Sequence, residues 1–119
     1  MPQQFISWLA AIGFLIAAAA AFAHHGWSEY DTNKPITLKG EITSSGYEHP
    51  HAYLKLLTEK KEWLATLAPP SRMSTRGLPR EALKTGAEAT LVGYPHRSNQ
   101  DEMRAETITI GGKTVELRR

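Results

Sequence analysis

The chain of 119 residues contains no cysteine, so neither a disulfide nor a thiolate metal site can stabilise it. Residues 1–23 contain no charged residue, although every phenylalanine of the chain falls among them. A formal net charge of +2 is too small to indicate a nucleic-acid-binding protein. The length suffices for one small core and excludes TIM barrels, doubly wound cofactor-binding folds and multi-span membrane proteins.

Residues 5–23 form a 19-residue apolar stretch interrupted only by Ser7 and Gly13. The stretch ends in Ala21-Phe22-Ala23, which matches the A-x-A cleavage pattern of a secretory signal peptide. The sequence therefore predicts a signal peptide over 1–23, cleavage after Ala23, and one domain over 24–119 in the periplasm or outside the cell. The competing interpretation is an uncleaved membrane anchor, because the stretch is long enough to span a bilayer. After cleavage, we expect no membrane span.

Alternating apolar and polar residues predict half-buried strands in the remainder of the chain. In the first strand Gly40 takes an inward position, where a bulge or a sharp coil would let one strand bend between two sheets. Gly111-Gly112 is a two-residue hairpin signal, and a short helix is expected from an N-cap at Ser71 to Gly77. The predicted strands are 36–43, 51–58, 62–68, 87–94, 102–110 and 113–117.

This order of elements predicts an all-β fold, a small OB-like β-barrel of five to six strands with a short helical segment. Closure of the barrel would also protect the edge strands of so small a sheet. A seven-stranded sandwich is the alternative, although the strand count is low for it.

Two histidine motifs carry a resemblance to a known family. Ala23-His24-His25 is followed later by His49-Pro50-His51-Ala52, and the chain resembles a bacterial family of small exported proteins catalogued as a domain of unknown function. Members of that family have A-H-H just after the signal peptide and N-P-H-A at the start of a later strand, so His49 occupies a position where asparagine is usual. The resemblance implies export and a small β-barrel, and it implies no established activity.

Four of the five histidines form two tight clusters, which predicts a transition-metal site made by His24, His25, His49 and His51. Cleavage after Ala23 would give His24 a free α-amine, which can chelate one metal together with its own imidazole. His49 and His51 are spaced i, i+2, so on a strand both imidazoles would lie on one face. Such nitrogen-rich sites suit copper best, and another divalent transition metal is the alternative.

The sequence thus predicts an exported, non-catalytic protein that binds copper or a similar metal. The alternative is a module that binds a protein or a small ligand, with incidental histidines; a second periplasmic protein is then the candidate partner. No nucleophile motif such as G-x-S-x-G is present, so we expect no enzyme, and we expect no nucleic-acid ligand.

Three further groups of side chains have less specific signals. Trp27 and Tyr30 are expected to attach the N-terminal segment to the barrel. His96 lies beside Arg97 in a polar loop, which is unfavourable for a cation. A set of basic residues spaced four apart would line an anion-binding face on one helix, but Gly77 and Pro79 interrupt that helix and favour a solvated surface; the set is Arg72, Arg76, Arg80 and Lys84.

Overall fold

A computed structural model describes residues 26–119 of the chain. The predicted signal peptide over 1–23, together with His24 and His25, lies outside the described residues. Within 26–119, no helix is both long enough and apolar enough to cross a membrane.

The described chain is mostly β-structure. Its strands are β1 (Ile36–Gly46), β2 (Tyr53–Leu57), β3 (Glu62–Thr66), β4 (Glu88–Pro95), β5 (Glu102–Ile110) and β6 (Lys113–Glu116). One short helix, α1 (Pro70–Thr75), follows β3, and two 3₁₀ turns cover Trp27–Glu29 and Arg80–Leu83.

The strands close into a barrel. The sheet order is β3-β2-β1-β4-β5-β6, and β3 also pairs in parallel with β5, where Leu64 to Thr66 lie opposite Glu102 to Arg104. This pairing joins the two ends of a five-stranded arrangement and leaves β6 as an extra strand on β5. The prediction of an OB-like barrel of five to six strands with a short helical segment is confirmed.

β1 pairs with two neighbouring strands along different parts of its length. Residues 36–41 pair with β4, and residues 41–46 pair with β2. Gly40 lies just before this change of partner, where a Cβ atom would collide with the backbone carbonyl of Leu57. The close approach of the two backbones therefore requires a glycine here. The register of β1 and β2 shifts between Ile42 and Ser44, two residues after Gly40.

The core contains the inward residues that the strand alternation selects. The inward residues of β2 and β4, Ala52 just before β2, and the two methionines of α1 and β5 are fully or almost fully buried: Ala52, Leu54, Leu56, Ala89, Leu91, Met73 and Met103. The hairpin between β5 and β6 also forms as predicted, because Gly111 and Gly112 both have positive φ, 56° and 77°.

Several boundaries differ from the prediction by one to three residues, and two of the differences lie near the candidate site or at the helix start. β2 begins at Tyr53 rather than at His51, although the hydrogen bonds between Ala52 and Leu67 or Ala68 extend the contact with β3. α1 begins at Pro70, with Pro69 rather than Ser71 at the N-cap position. A proline at the first helical position has its φ already near the helical value and lacks only an N–H that would have no partner there.

Candidate ligand-binding face

A shallow hollow lies on the outer face of β2 and β3. OB-type barrels bind their ligands on this face, between the β1–β2 loop and the β4–β5 loop. Here those loops are residues 47–52 and 96–101. The hollow has a volume of ≈ 430 Å³, and its walls are Pro50, His51, Ala52, Tyr53, Leu64, Thr66 and Glu102.

A larger groove of ≈ 630 Å³ lies at the opposite end of the β2–β3 hairpin. Lys61 and Trp63 of this groove already contact each other: the Lys61 ammonium lies 4.2 Å from the centroid of the Trp63 ring. Lys61 also forms an ion pair with Asp101 at 3.2 Å. Since the charge of Lys61 is balanced, we regard the hollow beside His51 as the better candidate site.

The loop before β2 separates the two histidines of the H-x-H motif. His49 is exposed and His51 is partly buried, and both lie before the first residue of β2. The expectation that one strand carries both imidazoles is therefore wrong, because Pro50 and its neighbours form a bend rather than a strand. Only His51 lines the hollow.

A buried arginine lies next to His51. Arg104 lies on β5 opposite Thr66 of β3, and it is only 7% exposed. Its guanidinium carbon is 4.2 Å from the centroid of the Trp27 ring, and that of Arg118 is 4.7 Å from the same ring. Trp27 also meets the edge of Tyr94, with 6.0 Å between the ring centroids. Trp27 thus attaches the N-terminal segment to the barrel, as the sequence predicts.

The guanidinium of Arg104 is poorly satisfied. Its Nη2 lies 3.4 Å from Nε2 of His51, and its Nε is buried with no hydrogen-bond partner in the part of the chain that the structure describes. Within residues 26–119, no carboxylate forms an ion pair with it. The nearby acids have other partners: Glu102 accepts from Tyr30 and Asn99, and Glu106 accepts from Tyr94 and Arg118.

Burial and positive neighbours determine the protonation of His51. Desolvation, and then the charges of Arg104 and Arg72, lower the pKa of the His51 imidazole, which is therefore neutral at pH 7. A guanidinium only donates hydrogen bonds, so Nε2 of His51 accepts from Arg104 and the proton of the neutral ring is assigned to Nδ1. Burial, above all, also lowers the pKa of Arg104, which still carries its charge at neutral pH.

A buried tyrosine contacts Glu102, which is one of the residues that line the hollow. Tyr30 is 5% exposed, and its hydroxyl donates to Oε2 of Glu102 at 2.6 Å. Burial and this hydrogen bond raise the pKa of Tyr30 to about 12. The Tyr30 ring meets His96 edge-on at 5.2 Å, and the backbones of the two residues form an isolated β-bridge. Tyr30 thus joins the N-terminal segment to the β4–β5 loop, in keeping with its expected role.

His96 has a structural role in that loop. Its Nδ1 accepts hydrogen bonds from the backbone amides of Ser98 and Asn99, at 3.1 and 3.0 Å. Its Nε2 lies 3.7 Å from a carboxylate oxygen of Glu29. These contacts shape the loop beside the hollow.

Arg72 of α1 and Arg76, which follows α1 directly, hold the C-terminal segment. Arg72 donates to the carbonyl of Leu117 at 3.0 Å, and Arg76 donates to the carbonyls of Glu116 and Arg118. This role differs from the solvated surface that the sequence favours. It also places the charge of Arg72 close enough to influence both His51 and Arg104.

Arg104 was not among the candidate site residues. It lies between the inward residues Met103 and Ala105, so the strand alternation assigns it to the outward face of β5 and gives no signal that it is buried. Its cover comes from Trp27, which lies far away in the sequence. In residues 26–119 no three histidine or acidic side chains converge on a common point; His24 and His25 lie outside that range, and the metal site of His24, His25, His49 and His51 stays a prediction.

Similarity to known proteins shows the fold and the family of this chain. No curated protein matches the chain. Solved structures with a similar fold include a complex of TiaS with tRNA and ATP (TM-score 0.52, 19% identity) and a ZRD-deleted TiaS mutant with agmatine (TM-score 0.51, 20% identity). The matches cover 75% and 74% of this chain, and this chain spans only 20% and 25% of the two TiaS chains. At this identity the matches show the fold alone.

The profile of the Family of unknown function (DUF6152) matches residues 13–104. The match covers most of the chain, from the apolar N-terminal stretch through the hollow and into β5. The chain therefore belongs to the family of unknown function DUF6152.

Proposed function

We propose that this protein is an exported, non-catalytic binding module that takes its ligand in the hollow beside His51. The observation that carries the proposal is the buried guanidinium of Arg104, which lacks a carboxylate partner among the described residues. A buried, unpaired cation lowers stability, so such a residue is better explained by a ligand than by the fold alone. The place fits, because OB-type barrels bind their ligands on this face.

Export is supported by the first residues of the sequence. The apolar stretch over 5–23 ends in an A-x-A pattern, which is typical of a cleaved signal peptide. The module would then act in the periplasm or outside the cell, as one domain over 24–119.

A transition metal, best copper, is the second candidate ligand. His51 favours it, because a neutral imidazole is the form that binds metal ions. His24 would add its amine and imidazole, and His25 or His49 a further nitrogen. The chain length allows His24 to lie near His51, because His24 is three residues before Trp27 and three residues span at most about 11 Å.

Copper and Arg104 would compete for the same nitrogen. Nε2 of His51 accepts from Arg104, so a metal at this atom must first displace the guanidinium. A metal at Nδ1 would instead displace the proton from Nδ1, and Nε2 would still face the N–H groups of Arg104. Arg72 and Arg104 further disfavour a doubly charged ion here. For this reason we place the metal second.

Arg104→Gln separates the two candidates. The protein is exported with its own leader, collected from the periplasm, and examined by native mass spectrometry and metal analysis. We expect a bound organic mass on the unmodified chain and its loss in Arg104→Gln. Stoichiometric copper without an organic mass, with at least as much copper in Arg104→Gln, would instead establish the metal.

Two variants test the histidine ligands themselves. An extra residue before His24 moves the amine away, and His51→Ala removes one imidazole. For a copper protein, each change should weaken Cu(II) binding about tenfold or more, equivalent to about 1.4 kcal/mol. Unchanged binding in both variants would eliminate the metal site.

A further inference from the structure

We infer that the ligand of the hollow is a small organic acid, whose carboxylate binds the guanidinium of Arg104. This inference rests on the proposed binding function and names its ligand class. Carboxylates match the planar fork of an arginine, which can donate two parallel hydrogen bonds to the two oxygens.

Arg104 does not itself line the hollow, but its Nη2 lies 3.4 Å from Nε2 of His51, which does. Its Nε is buried and has no hydrogen-bond partner among residues 26–119, so an acid in the hollow would bind first at Nη2. Nδ1 of His51, to which the ring proton is assigned, adds a further donor beside the guanidinium. Because His51 is neutral, this donor is present without a charge that would itself require burial.

The surrounding charges favour an anion. Arg72 and Arg118 both act on Arg104 electrostatically, so a negative group beside the guanidinium would interact favourably with three arginines. Glu102 lines the same hollow and opposes an anion. Its two oxygens, however, already accept from the Tyr30 hydroxyl and the Asn99 amide, at 2.6 and 3.3 Å.

The walls of the hollow indicate that the acid has an apolar body. Pro50, Tyr53 and Leu64 contribute apolar surface, and the volume of ≈ 430 Å³ exceeds what an inorganic ion would fill. Trp27 lies over Arg104 and excludes water from the guanidinium. Apolar walls with a few placed polar groups are typical of small-molecule sites.

Benzoate tests the inference, because it combines a carboxylate with a small apolar ring. The mature chain is titrated calorimetrically in the presence of a chelator, which removes metal ions. Benzamide serves as the neutral probe of equal shape and inorganic phosphate as the anion without an apolar body. We expect benzoate to bind about tenfold or more tightly than either probe.

Variants identify the residues involved. Arg104→Gln should weaken benzoate binding about tenfold or more, whereas Arg80→Gln should leave it unchanged because Arg80 lies over Tyr47. Leu64→Gln should weaken benzoate but not phosphate. It keeps the inference testable if Arg104→Gln fails to fold.

Each outcome is decisive. Any of four results would overturn the inference that the ligand is an organic acid. They are equal binding of benzoate and benzamide, tighter binding of phosphate than of benzoate, unchanged benzoate affinity in Arg104→Gln, and no benzoate binding. Benzamide bound in the hollow would leave the binding module standing with a neutral ligand. The module itself fails only if the exported protein carries no organic mass.

Discussion

Nη2 of Arg104 lies 3.4 Å from Nε2 of His51, and this contact joins β5 to the loop before β2. Two groups that are cationic in many proteins thus lie side by side, which is possible because the imidazole is neutral. The contact fixes which His51 nitrogen is free to donate and makes Arg104 a competitor of any metal at Nε2.

The pH dependence of stability follows from this contact. The pKa of His51 in the folded protein is lowered by burial, and then by Arg104 and Arg72, below the value of about 6.5 in the unfolded chain. The unfolded chain therefore binds a proton that the folded chain does not, and stability falls as the pH drops below about 6.5. Urea unfolding at several pH values should show this loss.

His51→Gln should reduce that loss of stability, and His49→Gln, which changes an exposed histidine two residues away, is the matched control. In Arg104→Gln, the pKa of His51 should rise, because a positive neighbour is removed. An NMR titration of the imidazole measures it. A fall in this pKa would contradict the assigned contact.

Gly40→Ala should destabilise the domain by about 1–3 kcal/mol, because the new Cβ atom collides with the backbone carbonyl of Leu57. Chemical denaturation measures the change. Gly26→Ala is the control, since no atom lies within 4 Å of a Cβ added at Gly26. Equal stability of the two variants would show that β1 and β2 do not approach each other closely at Gly40.

Tyr30→Phe should destabilise the domain by about 1–3 kcal/mol, because it removes a buried hydroxyl that donates to the Glu102 carboxylate. Tyr53→Phe, on the same face, is the matched control. The pKa of Tyr30, raised to about 12, adds a second readout: stability should fall as the pH rises above about 10, where the unfolded tyrosine ionises first. This loss should be smaller in Tyr30→Phe, in which Tyr94, whose pKa is also raised by its hydrogen bond to Glu106, still contributes.

Processing of the exported chain is a separate prediction. The A-x-A pattern before His24 predicts an intact mass that corresponds to residues 24–119. A mass that retains residues 1–23 would indicate a membrane anchor, and the amine of His24 could then bind no metal.

The barrel could be predicted from the sequence because its signals are local. Alternation selected the inward residues of β2 and β4, and Gly111-Gly112 identified the hairpin. The start of β2 was placed too early, because alternation continues through His51 while the bend at Pro50 delays regular pairing.

The hollow could be predicted only in part. The histidine spacing drew attention to His51, which does line it. The contact with Arg104 depends on β3 pairing with β5 and on the cover by Trp27, two relations between distant parts of the chain. No pattern around Arg104 could have indicated either of them.

The central claim is that the face around His51 and Arg104 binds the ligand. A map of backbone amide shifts in the mature chain on addition of benzoate tests it most directly. We expect the largest shifts at His51, Leu64, Thr66 and Arg104. Shifts concentrated around Lys61 and Trp63, at the other end of the hairpin, or no shifts at all, would contradict it.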